Sequence, residues 1–155
     1  MESNIKEAES IYFQWFKEKN WKPFRFQIQA LHHYLSGYSG LLNAPTGSGK
    51  TYALWLPALM EELYFQKTSG KTAKGLTILW ITPVRSLVND IKLAMQQAAK
   101  ELNVLWDIAS RTGDTDQSER NRQKKYHPQC LVTTPESLHL LLSRPGNALI
   151  FNSVR

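Results

Sequence analysis

Apolar residues recur along the chain in two alternating patterns, one typical of helices and one typical of buried strands. Residues three or four positions apart form apolar stripes at 5–19 and at 28–35, and the second stripe ends before Gly37. A short apolar run at 40–43 predicts a buried strand, and a helix is predicted from about Lys50 to Gln66. The chain is therefore expected to begin with two helices, followed by a strand, a turn and a third helix.

The alternation of strands and helices continues through the rest of the chain. Strands are predicted at 76–82, 103–110 and 130–134, helices at 84–102 and 135–143, a basic loop at 67–75 and a charged stretch at 111–128. Apolar strands that alternate with amphipathic helices favour an α/β fold, in which helices cover both faces of a parallel sheet. The loops that begin at Ala44, Thr82, Ser110 and Thr134 are then expected to share one edge of that sheet.

Composition narrows the class of protein. The chain has 155 residues, the size of one domain. Its net charge of +6 is consistent with a nucleic-acid partner, and equally with a basic surface that only contacts solvent. Cys130 is the single cysteine and has no neighbours at metal-ligand spacing, which favours a reducing compartment. No secretory signal and no membrane-spanning run is recognised, so we expect a cytoplasmic protein without a membrane partner.

The segment APTGSGKT at 44–51 carries the clearest chemistry. It fits the phosphate loop G-x-x-x-x-G-K-[ST], except that Ala44 stands at the first glycine. Two glycines allow backbone N–H groups to point at phosphate oxygens, Lys50 adds a positive charge, and the Thr51 hydroxyl can bind Mg²⁺. The motif therefore predicts a nucleoside triphosphate site, with Lys50 and Thr51 as catalytic residues. The expected nucleotide-binding residues of the loop are Thr46, Gly47, Ser48, Gly49, Lys50 and Thr51.

APTGSGKT also resembles motif I of superfamily 2 helicases, and an upstream segment, WKPFRFQIQAL, resembles their Q motif. This resemblance implies ATP as the nucleotide, with Gln27 reading the edge of adenine and Phe24 stacking on its ring. The amide of Gln27 suits this role because it offers both a donor and an acceptor. A surface glutamine at the start of a helix is the alternative interpretation.

Three later segments resemble the nucleic-acid-binding motifs of the same family. TPVRSL at 82–87 is similar to motif Ia, RTGDT at 111–115 to the TGD element, and TTPESL at 133–138 to motif Ib. Taken singly, each could be an ordinary helix cap or turn; their order after motif I favours the resemblance. The implied nucleic-acid contacts are Pro83, Arg85, Thr112, Gly113, Asp114, Thr134 and Pro135.

Together these motifs resemble the Lhr group of superfamily 2, and the W-x-PF-x-FQ start is similar to that of ligase-associated DEXH-box helicases. The resemblance implies a RecA-like fold and an enzyme driven by ATP and Mg²⁺ that moves 3′ to 5′ on single-stranded DNA. It further implies work in DNA repair beside an ATP-dependent DNA ligase.

The sequence departs from the family pattern in one respect. The D-E-x-H of motif II, which binds Mg²⁺ and polarises the attacking water, does not occur in the 155 residues. We therefore expect the N-terminal part of a first RecA-like domain, incomplete at its C-terminal end, with a helical extension at 1–37 and the motifs at 38–155. The parent would hydrolyse ATP, whereas this piece would not, and its strand at 40–43 would lack a neighbour. A non-catalytic binding module, an RNA helicase or a restriction-type translocase are the alternatives.

Overall fold

The computed structural model describes residues 2–155, apart from the side chains of residues 2–4 and 148, and the chain divides into two compact units. Unit 1 contains the residues through Thr72 together with Glu101–Val104. Unit 2 contains Ala73–Lys100 and Leu105–Arg155.

Unit 1 is built from three helices, all of which the sequence predicted. They are α1 (Glu2–Glu18), α2 (Arg25–Leu35) and α3 (Lys50–Ser69), and α3 ends at Gly70, whose φ of 65° suits only a residue without a side chain. Large apolar side chains of all three helices are fully buried, among them Tyr12, Leu31 and Trp55. The apolar stripes read from the sequence thus form the core of this unit.

The segment at 40–43 is not the buried strand that the sequence predicted. It has no regular secondary structure, and the side chain of Leu41 is 96% exposed. A strand needs a neighbour to pair its backbone N–H and C=O groups. The described strands pair only with one another, so the run at 40–43 has no partner and leaves apolar surface open.

Unit 2 contains a three-stranded parallel sheet with the order β1-β3-β2. The strands are β1 (Ile78–Ile81), β2 (Ile108–Arg111) and β3 (Cys130–Thr133), and Cys130 lies opposite both Ile78 and Ile108. The helices are α4 (Arg85–Glu101), α5 (Gln117–Lys125), α6 (Pro135–Leu142) and a 3-10 helix (Asn147–Ser153). The predicted α/β class and parallel sheet are confirmed.

Two predicted elements of unit 2 differ from the observed ones. The strand predicted at 103–110 is regular only at Ile108–Arg111, because β3 begins at Cys130 and offers no partner to earlier residues. The charged stretch at 111–128 contains α5, which has a single buried residue, Gln123, and therefore no apolar stripe to reveal it.

One apolar cluster of unit 2 is formed by strand residues together with α6 and the 3-10 helix. Leu76, Ala109, Leu131 and Leu141 are buried together, and residues of the 3-10 helix pack against them. All four residues of β3 are buried, so both faces of the central strand are covered. Burial raises the pKa of the Cys130 thiol, which disfavours the reactive thiolate.

Side-chain amides close the outer edge of β2. Gln96 Nε2 donates to the carbonyl oxygen of Ile108 at 2.9 Å, and Gln123 Nε2 donates to that of Ser110 at 3.0 Å. These bonds use carbonyl groups that would otherwise be free to pair with a further strand. Among the helices of residues 2–155, none is long and apolar enough to cross a membrane.

Candidate nucleotide and nucleic-acid sites

The glycine-rich loop of unit 1 has the backbone that the sequence predicted. Gly47 and Gly49 have φ values of 80° and 82°, which other residues rarely adopt, and α3 begins at Lys50 directly after them. The first turn of α3 carries free N–H groups and the positive end of the helix dipole. This arrangement is suited to bind an anion.

The Lys50 ammonium forms hydrogen bonds to the backbone of its own loop. Its Nζ donates to the carbonyl oxygens of Ala44 at 2.7 Å and Pro45 at 2.6 Å, and Ser48 Oγ also donates to Pro45 at 2.7 Å. Carbonyl oxygens therefore occupy the positions around the ammonium that phosphate oxygens would take. The Thr46 side chain is exposed, and that of Thr51 is half-buried in the first turn of the helix.

Gln27 connects the start of α2 to this loop. The side chain is 3% exposed; its Oε1 accepts from the Phe24 N–H at 2.8 Å, and its Nε2 donates to the Gly49 carbonyl at 3.1 Å. A Cβ added at Gly49 would lie 2.7 Å from this Nε2, whereas one added at Gly47 would meet nothing within 4 Å. One N–H and one lone pair of the Gln27 amide remain for a ligand.

Aromatic residues surround the same region. The Phe24 ring is 58% exposed and stacks on Phe26, with centroids 5.7 Å apart and planes at 9°. Tyr52, which follows Thr51, packs against Trp15 and Trp21 with centroid distances of 5.2 Å and 6.0 Å. This second group was not predicted from the sequence, in which only Tyr52 adjoins the loop and the two tryptophans lie far before it.

A partly buried ion pair between Lys19 and Glu101 holds these aromatic side chains in place. Glu101 accepts from Trp15 Nε1 and from Lys19 Nζ, both at 2.8 Å, and the Lys19 ammonium lies 4.8 Å from the centre of the Trp15 ring. Through Tyr52, these contacts position the first turn of α3, which begins directly after the glycine-rich loop.

In unit 2 the predicted nucleic-acid residues follow the carboxyl ends of the three parallel strands, and so share one edge of the sheet. The Arg85 guanidinium lies over Gly113, where an added Cβ would be 3.3 Å from Nη2, and its Nη1 is 3.8 Å from the Asp114 carboxylate. The side chains of Pro83 and Asp114 are exposed and that of Thr112 is half-buried. The structure thus brings motif Ia and the TGD element together.

Thr134 has a different environment. Its side chain is fully buried; Oγ1 accepts from the Ser137 N–H and donates to Ser137 Oγ at 3.2 Å, which makes Thr134 the N-cap of α6. Pro135, the first helical residue, is exposed. A direct contact between the Thr134 hydroxyl and a ligand would require this cap to open.

Arg120 of α5 stabilises the TGD element through hydrogen bonds to its backbone. This residue was not predicted as part of a site. Its Nε donates to the Thr115 carbonyl and its Nη2 to the Gly113 carbonyl, both at 2.7 Å. In the sequence this residue is one of several charges in a polar run, so only its position five residues after Thr115 could have drawn attention to it.

The described residues contain no group of three acidic, histidine or cysteine side chains that could hold a metal ion. The Thr51 hydroxyl in the first turn of α3 is a hard oxygen ligand, which fits a Mg²⁺ ion that would arrive with the phosphates of a nucleotide. The backbone of the loop suits an anion, because the left-handed conformations of Gly47 and Gly49 allow successive N–H groups to point at one ligand.

Comparisons with known sequences agree with these motifs. Two relatives are the ATP-dependent helicase Lhr-Core of Methanocaldococcus jannaschii, 33% identical over 156 residues, and the Lhr helicase/uracil glycosylase of Escherichia coli, 34% identical over 144 residues. The matches cover 92% and 83% of this chain but only 18% and 9% of those proteins. The resemblance to the Lhr group is confirmed.

Solved structures give the same result. The Mycobacterium smegmatis helicase Lhr, bound to ssDNA and AMP-PNP, matches 98% of this chain and 19% of its own with a TM-score of 0.71 and 26% identity. The helicase MrfA bound to DNA has a TM-score of 0.72 at 21% identity, which supports the RecA-like fold alone. The family model that describes the DEAD/DEAH box helicases matches residues 24–155. The chain therefore belongs to the DEAD/DEAH box helicase family.

Proposed function

We propose that this chain is the ATP-binding and nucleic-acid-binding N-terminal part of an ATP-dependent DNA helicase or translocase. In this proposal residues 1–37 form a helical extension of the first RecA-like domain, and residues 38–155 carry its first motifs. The observation that supports it most directly is the glycine-rich loop, with two left-handed glycines followed by Lys50 at the start of a helix.

The proposed nucleotide is ATP with Mg²⁺. Lys50 would leave the carbonyls of the loop and bind the phosphates, and Thr51 would contribute its hydroxyl to the metal. Gln27 would use its remaining N–H and lone pair on the adenine edge, with the exposed ring of Phe24 beside the base. Mg²⁺ bound to the phosphates supplies charge stabilisation during hydrolysis.

The proposed track is a single DNA strand, held at the carboxyl ends of the strands of unit 2. Arg85 and the backbone around Gly113 would bind phosphates there, which positions a strand without reading its sequence. The single-stranded DNA bound to M. smegmatis Lhr supports DNA over RNA. The W-x-PF-x-FQ start favours a role in DNA repair beside an ATP-dependent ligase, and the single cysteine favours a reducing setting such as the cytoplasm.

A measurement of phosphate release from the 155-residue chain tests whether it binds ATP without hydrolysing it. We expect ATP and single-stranded DNA to bind but no steady-state turnover, because the sequence has no D-E-x-H to hold Mg²⁺ and orient water. Lys50→Ala serves as the control for contaminating ATPases. Turnover that depends on Lys50 would contradict this account.

The choice of track has its own test. In a chain that joins these residues to a following D-E-x-H segment and a second RecA-like domain, single-stranded DNA should stimulate ATP hydrolysis more than RNA of the same length. Stronger stimulation by RNA would favour the RNA helicase instead, and no stimulation by either, together with no turnover, would favour a non-catalytic binding module.

A further inference from the structure

Three arginines of unit 2 converge on one small cavity. Arg111 at the end of β2, Arg120 of α5 and Arg144 after α6 line a cavity of about 40 Å³, together with Ser137. The Arg111 side chain is buried with 7% exposure, that of Arg120 is half-buried, and that of Arg144 is exposed. The cluster therefore runs from the interior to the surface.

These guanidinium groups have no counterion among the side chains that the structure describes. Arg111 Nη1 makes one long bond, 3.4 Å, to the neutral Gln123 Oε1, and the Arg120 guanidinium binds only backbone carbonyls. Among the described side chains, which leave out those of residues 2–4 and 148, no carboxylate forms an ion pair with Arg111, Arg120 or Arg144. A charge this deeply buried is normally compensated by an opposite charge.

The neighbouring acids are already engaged elsewhere. Glu119 accepts from Arg122 Nε at 2.7 Å and from Gln123 Nε2 at 2.8 Å, and Asp114 faces Arg85. Burial lowers the pKa of Arg111, and the nearby charges of Arg120 and Arg144 lower it further. The cavity thus has an excess of positive charge that described residues leave unbalanced.

We propose that Arg111, Arg120 and Arg144 form a phosphate-binding site, separate from the glycine-rich loop. Guanidinium groups bind phosphate through paired N–H donors. A phosphate can carry two negative charges and a carboxylate only one, so phosphate balances the charge of three guanidinium groups better. Ser137 adds a donor, because its Oγ accepts from Thr134 and keeps its own hydrogen. The phosphate is either a free ion or a backbone group of nucleic acid; only the second source rests on the proposed function.

Arginine side-chain NMR tests this site in the 155-residue chain. With ¹⁵N-labelled arginine, each Nε–Hε signal reports on its own guanidinium, and the variant that lacks a given arginine assigns its signal. One arm adds sodium phosphate against sodium chloride of equal ionic strength, and the other adds a 12-nucleotide oligo-dT. Arg144→Ala removes an exposed member without disturbing the core, and Arg25→Ala, an exposed arginine of unit 1, removes the same charge elsewhere.

We expect the Arg111 and Arg120 signals to shift and saturate, with the dissociation constant raised about tenfold by Arg144→Ala and unchanged by Arg25→Ala. If only phosphate shifts the signals, the ligand is the free ion. If only oligo-dT shifts them, the ligand is the nucleic-acid backbone. If both shift them, the site accepts phosphate from either source. No response in either arm, or an equal response in Arg144→Ala, would overturn the proposal. Lys50→Ala should leave these signals responsive, so failure of the nucleotide site would be seen separately.

Discussion

The glycine-rich loop of unit 1 and the strand ends of unit 2 both carry positive charge, but they hold it differently. In unit 1 the Lys50 ammonium is satisfied by two carbonyl oxygens, and Gln27 bonds the loop at Gly49. In unit 2 the Arg85 side chain is 59% exposed, with one carboxylate at 3.8 Å. A ligand of the loop must replace internal hydrogen bonds, whereas a ligand of the strand ends meets charge that is already available. Nucleotide binding should therefore depend on loop conformation, and nucleic-acid binding on salt.

Gly49→Ala should show the largest effect on the loop. Left-handed φ alone should cost about 1 kcal/mol in Gly47→Ala, and Gly49→Ala should cost about 1 to 2 kcal/mol more, because its Cβ displaces the buried Gln27 amide. Urea unfolding of both variants measures the difference. The double variant Gln27→Ala/Gly49→Ala should lose less than the sum of the two single variants; equal losses in the two glycine variants would show that Gln27 does not constrain the loop.

Gln27→Ala should reduce the preference for ATP over GTP about tenfold, because adenine loses hydrogen bonds to the amide. Competition binding of the two nucleotides to the 155-residue chain measures the preference. Gln29→Ala, an exposed glutamine of the same helix, is the matched control. An unchanged preference in Gln27→Ala would remove the adenine-reading role and leave only the contact with Gly49.

Arg85→Ala should weaken binding of single-stranded DNA about fivefold, to a similar degree for all sequences, because a phosphate contact carries no base preference. The slope of log K against log salt should fall by about 1. Lys100→Ala, an exposed lysine of the same helix, is the control. Affinity losses that differ between oligo-dT and mixed sequences would contradict a backbone contact.

Glu119→Gln should give the smallest effect, and one that depends on pH. The hydrogen bond from Arg122 lowers the pKa of Glu119 from 4.5 to about 2, so the ionised form stabilises the fold above pH 4.5 and this contribution is lost as pH falls towards 2. The side chain is 34% exposed, which limits the loss in Glu119→Gln to under about 1 kcal/mol at pH 7. Urea unfolding at pH 7 and near pH 2, with Asp90→Asn as control, should show a difference only at pH 7; the same loss at both pH values would be inconsistent with the ion pair.

Local features of this chain could be predicted from sequence. The glycine turn and the helices around it follow from neighbouring residues, and α3 starts at Lys50 as expected. The run at 40–43 could not be assigned correctly, because a strand depends on a partner elsewhere in the chain. The helix α5 was hidden for a different reason, since it buries only Gln123 and has no apolar stripe.

Most contacts within the candidate sites could not be predicted from the sequence. Gln27 and Gly49 are 22 positions apart, and nothing in either motif indicates that the amide bonds the loop. The three arginines of the cavity come from a strand, a helix and a turn, so no sequence run contains them. Resemblance to a family supplied residue roles, but not the hydrogen bonds from Lys50 to the loop carbonyls. The cap formed by Thr134 matches the helix-cap alternative that its segment offered.

The central claim is that the glycine-rich loop binds ATP through Lys50, and calorimetric titration of the 155-residue chain with ATP and Mg²⁺ tests it most directly. Lys50→Ala should raise the dissociation constant about 10- to 150-fold, the loss of one charge-assisted phosphate contact. Lys71→Ala, an exposed lysine beyond the end of α3, should leave it unchanged. Equal affinity of the wild-type chain and Lys50→Ala for ATP would contradict the account.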